Sequence, residues 1–355
     1  MHFPQELDGH RKQIYRPLYL KSRWSFEQFV GHQDIRYFSY GRHALVEGLL
    51  SIRVKKGDKV LVPAYICREL LSAIHTLGAH PCYYDVDRTL QPILSPESLP
   101  ASRAIIAVNF FGFPADLQPF ESYCRRTGAV LIEDNAHGLF SRDETGRVLG
   151  SRGDIGIFSF RKTIILPDGA ALVLNSQKVS FSLRPQLFYA NRSVPPEILL
   201  KKLLLMSASI GGLYLLRFFI SLNRRLRSLR TGHEILPSSP DAESVLPGDP
   251  APHKKMNLLM SRLDMDHEIS RRRALYKRVD LEMKQAGYEP VFSSLPENVV
   301  PYGYPFYLSK EGIGKAQEVL KQNYLECHPW PELPEAVFPK APEHYKTTWM
   351  VGFLW

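Results

Sequence analysis

The sequence predicts an α/β fold: a large domain built on a mostly parallel sheet, followed by a smaller C-terminal α+β domain. Short apolar runs of the kind found in buried strands alternate with stretches of helical periodicity: Val60–Val62, Ala104–Val108, Val130–Ile132, Ile155–Phe160 and Ala170–Leu174. Glycines, acids and single basic residues gather just past the ends of those runs, where open α/β sheets bind ligands. At 355 residues and 44% hydrophobic, the chain can bury a large core.

The first twenty residues, MHFPQELDGHRKQIYRPLYL, contain no apolar signal core. The four cysteines, Cys67, Cys82, Cys124 and Cys327, are scattered. This argues against a disulfide scaffold and a structural zinc site, so a cytoplasmic chain without a metal is expected. The net charge of +9 is compatible with nucleic acid or a membrane surface. No nucleic-acid-binding motif accompanies it, so no nucleic-acid partner is expected.

Residues 36–50 read as a short aromatic strand, a Ser39-Tyr40-Gly41-Arg42 turn and a helix. Free amides and the positive dipole end at such a start suit a phosphate, and Gly41 permits close approach. An ordinary Ser-capped helix is the competing reading. The turn at Lys55–Lys59 leads into the Val60 strand, the Pro63–Cys67 loop and a helix ending near Thr76. A strand over Pro81–Asp85 follows. After Ala104–Val108 come Asn109-Phe110-Phe111-Gly112, then an amphipathic helix over Pro114–Thr127 that returns to Val130. Right-handed crossovers connect strands arranged in this way.

The stretch from Val130 to Asn175 organises the rest. Glu133, Asp134 and His137 follow one apolar run, and Lys162 follows another. A lysine amine can join a cofactor aldehyde. A carboxylate beside a pyridine nitrogen keeps that nitrogen protonated, so the ring can take up electrons. Lys162 and Asp134 are candidates for these roles in pyridoxal phosphate chemistry. Taken singly, a capping Asp, a solvated Lys and a structural His are the ordinary readings.

In order, these residues resemble the sugar aminotransferases of the DegT/DnrJ/EryC1/StrS family. Glu133-Asp134-Asn135-Ala136-His137-Gly138 matches the strand-end motif of that family. Gly153-Asp154-Ile155-Gly156-Ile157-Phe158-Ser159-Phe160 matches its next strand, and Asp168-Gly169-Ala170 its acidic turn. The resemblance implies a fold-type-I pyridoxal-5'-phosphate-dependent transferase with Lys162, Asp134 and His137 as catalytic residues. It also implies cofactor binding by Gly41, Arg42, Tyr65, Asp134, His137, Ser159 and Lys162. Asn257, in Asn257-Leu258-Leu259-Met260-Ser261, would reach a partner subunit's cofactor phosphate in a homodimer. Arg42 stands where the family has a small hydroxyl residue, Asn109 where it commonly has His, and Leu259 where it has Arg. The segment from Ser159 to Lys162 is shorter than usual.

The expected divisions are 1–190, the large cofactor-binding domain; 191–250, an insertion; and 251–355, the small domain. Within the insertion, Glu197–Leu222 is strongly apolar and Arg224, Arg225, Arg227 and Arg230 follow without an acid. Helices packed on the protein or its dimer mate, a surface helix on anionic lipid and a membrane span are the three readings. Leu236–Pro252 reads as a loop. Further on, Arg271-Arg272-Arg273 lie on a long basic helix expected to be solvated or dimer-facing. Tyr304–Leu308 reads as a strand and Gly312–Asn323 as a helix. His328-Pro329-Trp330 resembles an aromatic stretch near the family's substrate. The ending Gly352-Phe353-Leu354-Trp355 suggests a small domain that lacks its closing segment.

The expected function is transfer of an amino group from an amino acid, glutamate in this reading, to a keto-sugar, presumed nucleotide-linked, for surface polysaccharide or secondary-metabolite biosynthesis. A sugar dehydratase of the same family carries His in place of the lysine, so Lys162 speaks against that route. A catalytically decayed member acting as a membrane-surface or scaffold protein is the alternative.

Overall fold

The computed structural model describes residues 24–31, 34–95, 97, 99–182, 184, 187–206, 215, 218, 222, 229, 238–321 and 325–353. Eight strands form the larger sheet: β1 (Ile35–Phe38), β2 (Lys59–Pro63), β3 (His80–Val86), β4 (Pro92–Ile93), β5 (Ala104–Val108), β6 (Val130–Asn135), β7 (Ile155–Ser159) and β8 (Ala170–Leu174). Their spatial order is β1-β8-β7-β6-β5-β2-β3-β4. β3, β2, β5, β6 and β7 run parallel. The pairs β3–β4, β7–β8 and β8–β1 are antiparallel.

The apolar runs account for this arrangement. Every residue of β5, β7 and β8 is buried, as strands covered on both faces require. Side-chain alternation then sorts residues between two cores. Ile155 and Ile157 face a core shared with Leu45 and Leu49 of the helix Gly41–Ser51. Phe158 and Phe160 face a second core with Phe26, Ile164 and Met256. Fully burying each of these large side chains stabilises the fold by about 1.5–3 kcal/mol.

A second sheet holds β9 (Glu289–Pro290), β10 (Gly303–Tyr307), β11 (Cys327–Pro329) and β12 (Thr348–Gly352), all antiparallel, in the order β11-β12-β10-β9. The 21-residue helix Met265–Gln285 packs on it. Thr348–Gly352 is an inner strand of this sheet, paired on both sides. Arg271 and Arg272 are buried rather than solvated, because Glu268, one turn earlier on the same helix, accepts from both. The helix expected from Pro114 begins at Gln118, whose N–H is taken by the Asp116 carboxylate.

The ends of the expected insertion meet: Ala190 and His253 form a parallel bridge. Inside it lie the helix Pro196–Met206 and a docked loop. In that loop the Pro247 carbonyl accepts from His43 Nε2 at 2.6 Å, and the Pro250 carbonyl accepts from the Ser39 N–H at 2.9 Å. The loop therefore covers the turn before the helix Gly41–Ser51. Among the described residues no helix is long and apolar enough to cross a membrane. Gly211-Gly212 and the arginines at 224, 225, 227 and 230 lie outside the described residues.

Candidate active site

A cavity of about 140 Å³ opens at the carboxyl ends of β5, β6 and β7, against the first turn of the helix Gly41–Ser51. Strand alternation decides which acid reaches it. Asp134 lines the cavity, whereas Glu133, one residue earlier, points to the opposite face and is fully buried. There Glu133 accepts from Arg152 Nε at 2.8 Å and from Asn109 Nδ2 at 2.8 Å. Asn109 also accepts from Arg152 and Ala115, so it is spent on this internal network.

Lys162 ends a single 3₁₀ turn, Phe160–Lys162, that follows β7 directly. Phe160 anchors the turn beneath, with its ring 4.8 Å from that of Phe26, and its N–H donates to the Gly169 carbonyl at 2.9 Å. Arg161 and Lys162 are left facing the cavity. Asp168 is buried and holds Arg192 at 2.8 Å and the His253 N–H at 2.8 Å, a structural role beneath the turn.

Lys162 Nζ lies 3.0 Å from His137 Nε2. The other ring nitrogen, Nδ1, accepts the Phe111 N–H at 3.3 Å. A neutral imidazole has one acceptor nitrogen. With Nδ1 so used, Nε2 carries the proton and donates it to Lys162, which must then be the free amine. The electrostatics agree. Burial lowers the Lys162 pKa, against opposition from Cys67 and Asp134. Burial, and Lys162 whenever it is protonated, holds His137 well below the ordinary histidine range. Asp134 is raised by burial, opposed by Lys162 and by the Ala136 N–H that it accepts at 2.9 Å. Cys67, also on the cavity wall, is pushed up to about 12 chiefly by burial and then by Glu69, so it stays a thiol.

The imidazole is held by its surroundings. Tyr302 stacks on it at 4.3 Å with an interplanar angle of 8°, and Trp330 lies 4.9 Å away. Phe111, the donor to Nδ1, sits at φ +55°, an uncommon conformation for a bulky residue. Gly112 follows at φ +91°, where a Cβ would come within 2.7 Å of the Val300 carbonyl oxygen.

The cavity also carries cations. Gly41, Arg42, Ser159 and Arg161 line it, and the first amides of a helix have no partner within that helix. Arg161 lies over the Tyr40 ring at 5.0 Å and its buried Nε has no hydrogen-bond partner. Arg42 is 6.0 Å from the same ring. Among the described residues neither guanidinium is ion-paired to a carboxylate. A pyridoxal phosphate fits this donor set: cations, a hydroxyl and helix amides for the phosphate, Lys162 for the aldehyde, and Asp134 for the ring nitrogen.

The sequence-predicted residues Gly41, Arg42, Asp134, His137, Ser159 and Lys162 thus share one cavity. Tyr65 does not join them. Its ring is fully buried against Phe110, Trp330 and Tyr345, and its hydroxyl donates to the Trp330 carbonyl at 2.6 Å. The cofactor contact expected of Tyr65 is therefore replaced by a support for Trp330. Asn257 is exposed, away from this cavity, and donates to the Tyr189 hydroxyl at 2.8 Å. Arg161 was missed by the sequence reading; its position next to Lys162 was the available signal.

Residues 23–189 match the DegT/DnrJ/EryC1/StrS aminotransferase family. Among solved structures, the chain is similar to the aminotransferase TlmJ from Streptoalloteichus hindustanus, with 19% identity, 96% of this chain and 85% of that one covered, and a TM-score of 0.60. It is also similar to DesV of S. venezuelae, at 19% identity, 98% and 90% coverage and a TM-score of 0.59. A third similar structure is a GDP-4-keto-6-deoxymannose-3-dehydratase with a trapped PLP–glutamate geminal diamine, at 17% identity, 92% and 85% coverage and a TM-score of 0.58. At these identities the structures show the shared fold: that of the fold-type-I transferases.

Proposed function

We propose that this chain, whose residues 23–189 belong to the DegT/DnrJ/EryC1/StrS aminotransferase family, transfers an amino group from glutamate to the keto group of a nucleotide-linked sugar, for surface polysaccharide or secondary-metabolite biosynthesis. The observation that carries the reading is the Lys162 amine, held by His137 at 3.0 Å in a cavity that Asp134 also lines. Pyridoxal phosphate, when bound, supplies an aldehyde for a lysine amine and a ring that stores an electron pair. Asp134 holds the proton on the ring nitrogen. Lys162 Nζ takes the proton from the α-carbon of the donor, and for this it must be the free amine that the His137 geometry requires. His137 Nε2–H orients Nζ. Arg42, Arg161, Ser159 and the Gly41 amide bind the phosphate.

The same reading makes the protein a homodimer in which Asn257 reaches the partner's cofactor phosphate. Exposed Leu199, Leu200 and Leu203 on the helix Pro196–Met206 support a covered face there. Sedimentation equilibrium checks the dimer. Salt-sensitive binding to anionic vesicles, lost when residues 197–230 are replaced by a short linker, would instead assign that segment to a membrane surface.

The visible absorption spectrum of purified protein with bound cofactor tests the reaction. Glutamate is expected to convert the lysine-bound band to that of the aminated cofactor, and Lys162→Ala to abolish both. Borohydride followed by peptide mapping is expected to label Lys162. A label on another lysine, or a spectrum indifferent to amino acids, overturns the assignment.

A further inference from the structure

Arg272 is fully buried on the helix Met265–Gln285, outside the cavity. Its Nε donates to Glu268 at 2.7 Å. The two remaining nitrogens are directed elsewhere. Nη2 donates to the Thr163 carbonyl at 2.8 Å, and Nη1 to the carbonyls of Tyr302 at 3.1 Å and Pro301 at 3.3 Å. Thr163 is the residue after Lys162. Tyr302 is the residue stacked on His137.

These contacts close a ring. Tyr302 also donates its N–H to the Phe111 carbonyl at 2.8 Å. Phe111 donates its own N–H to His137 Nδ1, and His137 Nε2 meets Lys162 Nζ. One guanidinium therefore ties the backbone segment that carries Lys162 to the segment whose Tyr302 ring stacks on His137. We propose that Arg272 is a positioning residue: its fork sets the placement of Lys162 through Thr163, and the orientation and tautomer of His137 through Tyr302 and Phe111. A planar group with fixed donors suits this task, and a lysine, a point charge on a flexible stem, does not. The catalytic meaning of the device rests on the reading of Lys162 as the cofactor lysine. The geometric claim does not.

The test uses the full chain with Arg272→Lys and Arg272→Met, and Tyr302→Leu as a variant that leaves Arg272 in place. Nitrogen-15 NMR of labelled histidine reads the tautomer in the apoprotein, the His137 signals being assigned by their loss in His137→Gln. The wild type is expected to show His137 protonated at Nε2 only, and each variant a mixture of tautomers. The rate at which added pyridoxal 5'-phosphate develops its lysine-bound band is expected to fall roughly 10- to 100-fold, as for a group misplaced by about an ångström. Thermal unfolding identifies folded variants. If neither Arg272 variant folds, Tyr302→Leu still tests the stacking step on which the proposal depends, and a wild-type tautomer and rate in that variant overturn the proposal. A folded variant with wild-type tautomer and wild-type rate overturns the proposal. A wild type that develops no lysine-bound band overturns the cofactor reading instead, while the tautomer still decides the role of Arg272.

Discussion

Replacing Asp134 with Asn should make the cofactor-free protein more stable and the loaded protein far less active. Asn keeps the size of the side chain and an oxygen for the Ala136 N–H. What it removes is a charge that burial disfavours, since Asp134 is raised chiefly by burial, with Lys162 and that N–H opposing. An acid whose pKa is raised on folding contributes stability below its unfolded pKa and loses that contribution as pH rises through the folded value. Once ionised, Asp134 is thus a liability to the empty protein. Removing such a functional-site cost commonly gains about 0.5–2 kcal/mol. The gain should shrink as pH falls through the raised pKa, because the wild-type acid then takes up its proton in the folded state. In the loaded protein the ring nitrogen loses its counter-charge. The rate at which glutamate alters the cofactor spectrum should fall about 10²–10⁴-fold, or about 2.7–5.5 kcal/mol of barrier. The assays are thermal unfolding of the cofactor-free protein at neutral pH and near pH 4, and a stopped-flow half-reaction. A variant that is no more stable near neutral pH, or that reacts within tenfold of wild type, refutes the reasoning.

Three further outcomes are expected. Arg161→Gln should weaken pyridoxal phosphate binding roughly 10- to 100-fold, the worth of a charge-assisted hydrogen bond, while binding of phosphate-free pyridoxal is unchanged in an absorbance titration; equal losses for both would remove Arg161 from the phosphate wall. His137 is held neutral in the folded state, so stability should decline as pH falls below the unfolded histidine value near 6.5, by at most about 1.4 kcal/mol per pH unit. His137→Gln should flatten that slope in urea titrations at pH 6.5 and 5, and an unaltered slope counts against a neutral, buried His137. Arg152→Met should cost about 3–5 kcal/mol by leaving the Glu133 charge buried without its counter-ion; a urea-measured loss under 1 kcal/mol would show that Asn109 and the neighbouring N–H groups suffice for it.

The main strands of the large sheet, the cavity's place at their carboxyl ends and the meeting of Asp134 and Lys162 in it were legible in the sequence. Each depends on local periodicity: apolar runs long enough for a strand, and acids or a lysine one step past their ends. Even the division of labour between Glu133 and Asp134 follows from alternation once β6 is known to be a strand. Tertiary structure alone decided the direction of side chains from turns and the fate of buried charge. Tyr65 and Trp330 both belong to aromatic segments near the site, yet the site faces Trp330 and Tyr65 lies behind it. Loop residues have no period to say which way they point. Arg271-Arg272-Arg273 reads as a solvated face, because a Glu one turn earlier on a helix is also how exposed ion pairs look. What Arg272 meets is a set of carbonyl groups from Thr163, Pro301 and Tyr302, distant in the chain and brought together only when the helix Met265–Gln285 lies against the residue after Lys162. Backbone acceptors leave no mark in the sequence, so neither does the residue that depends on them.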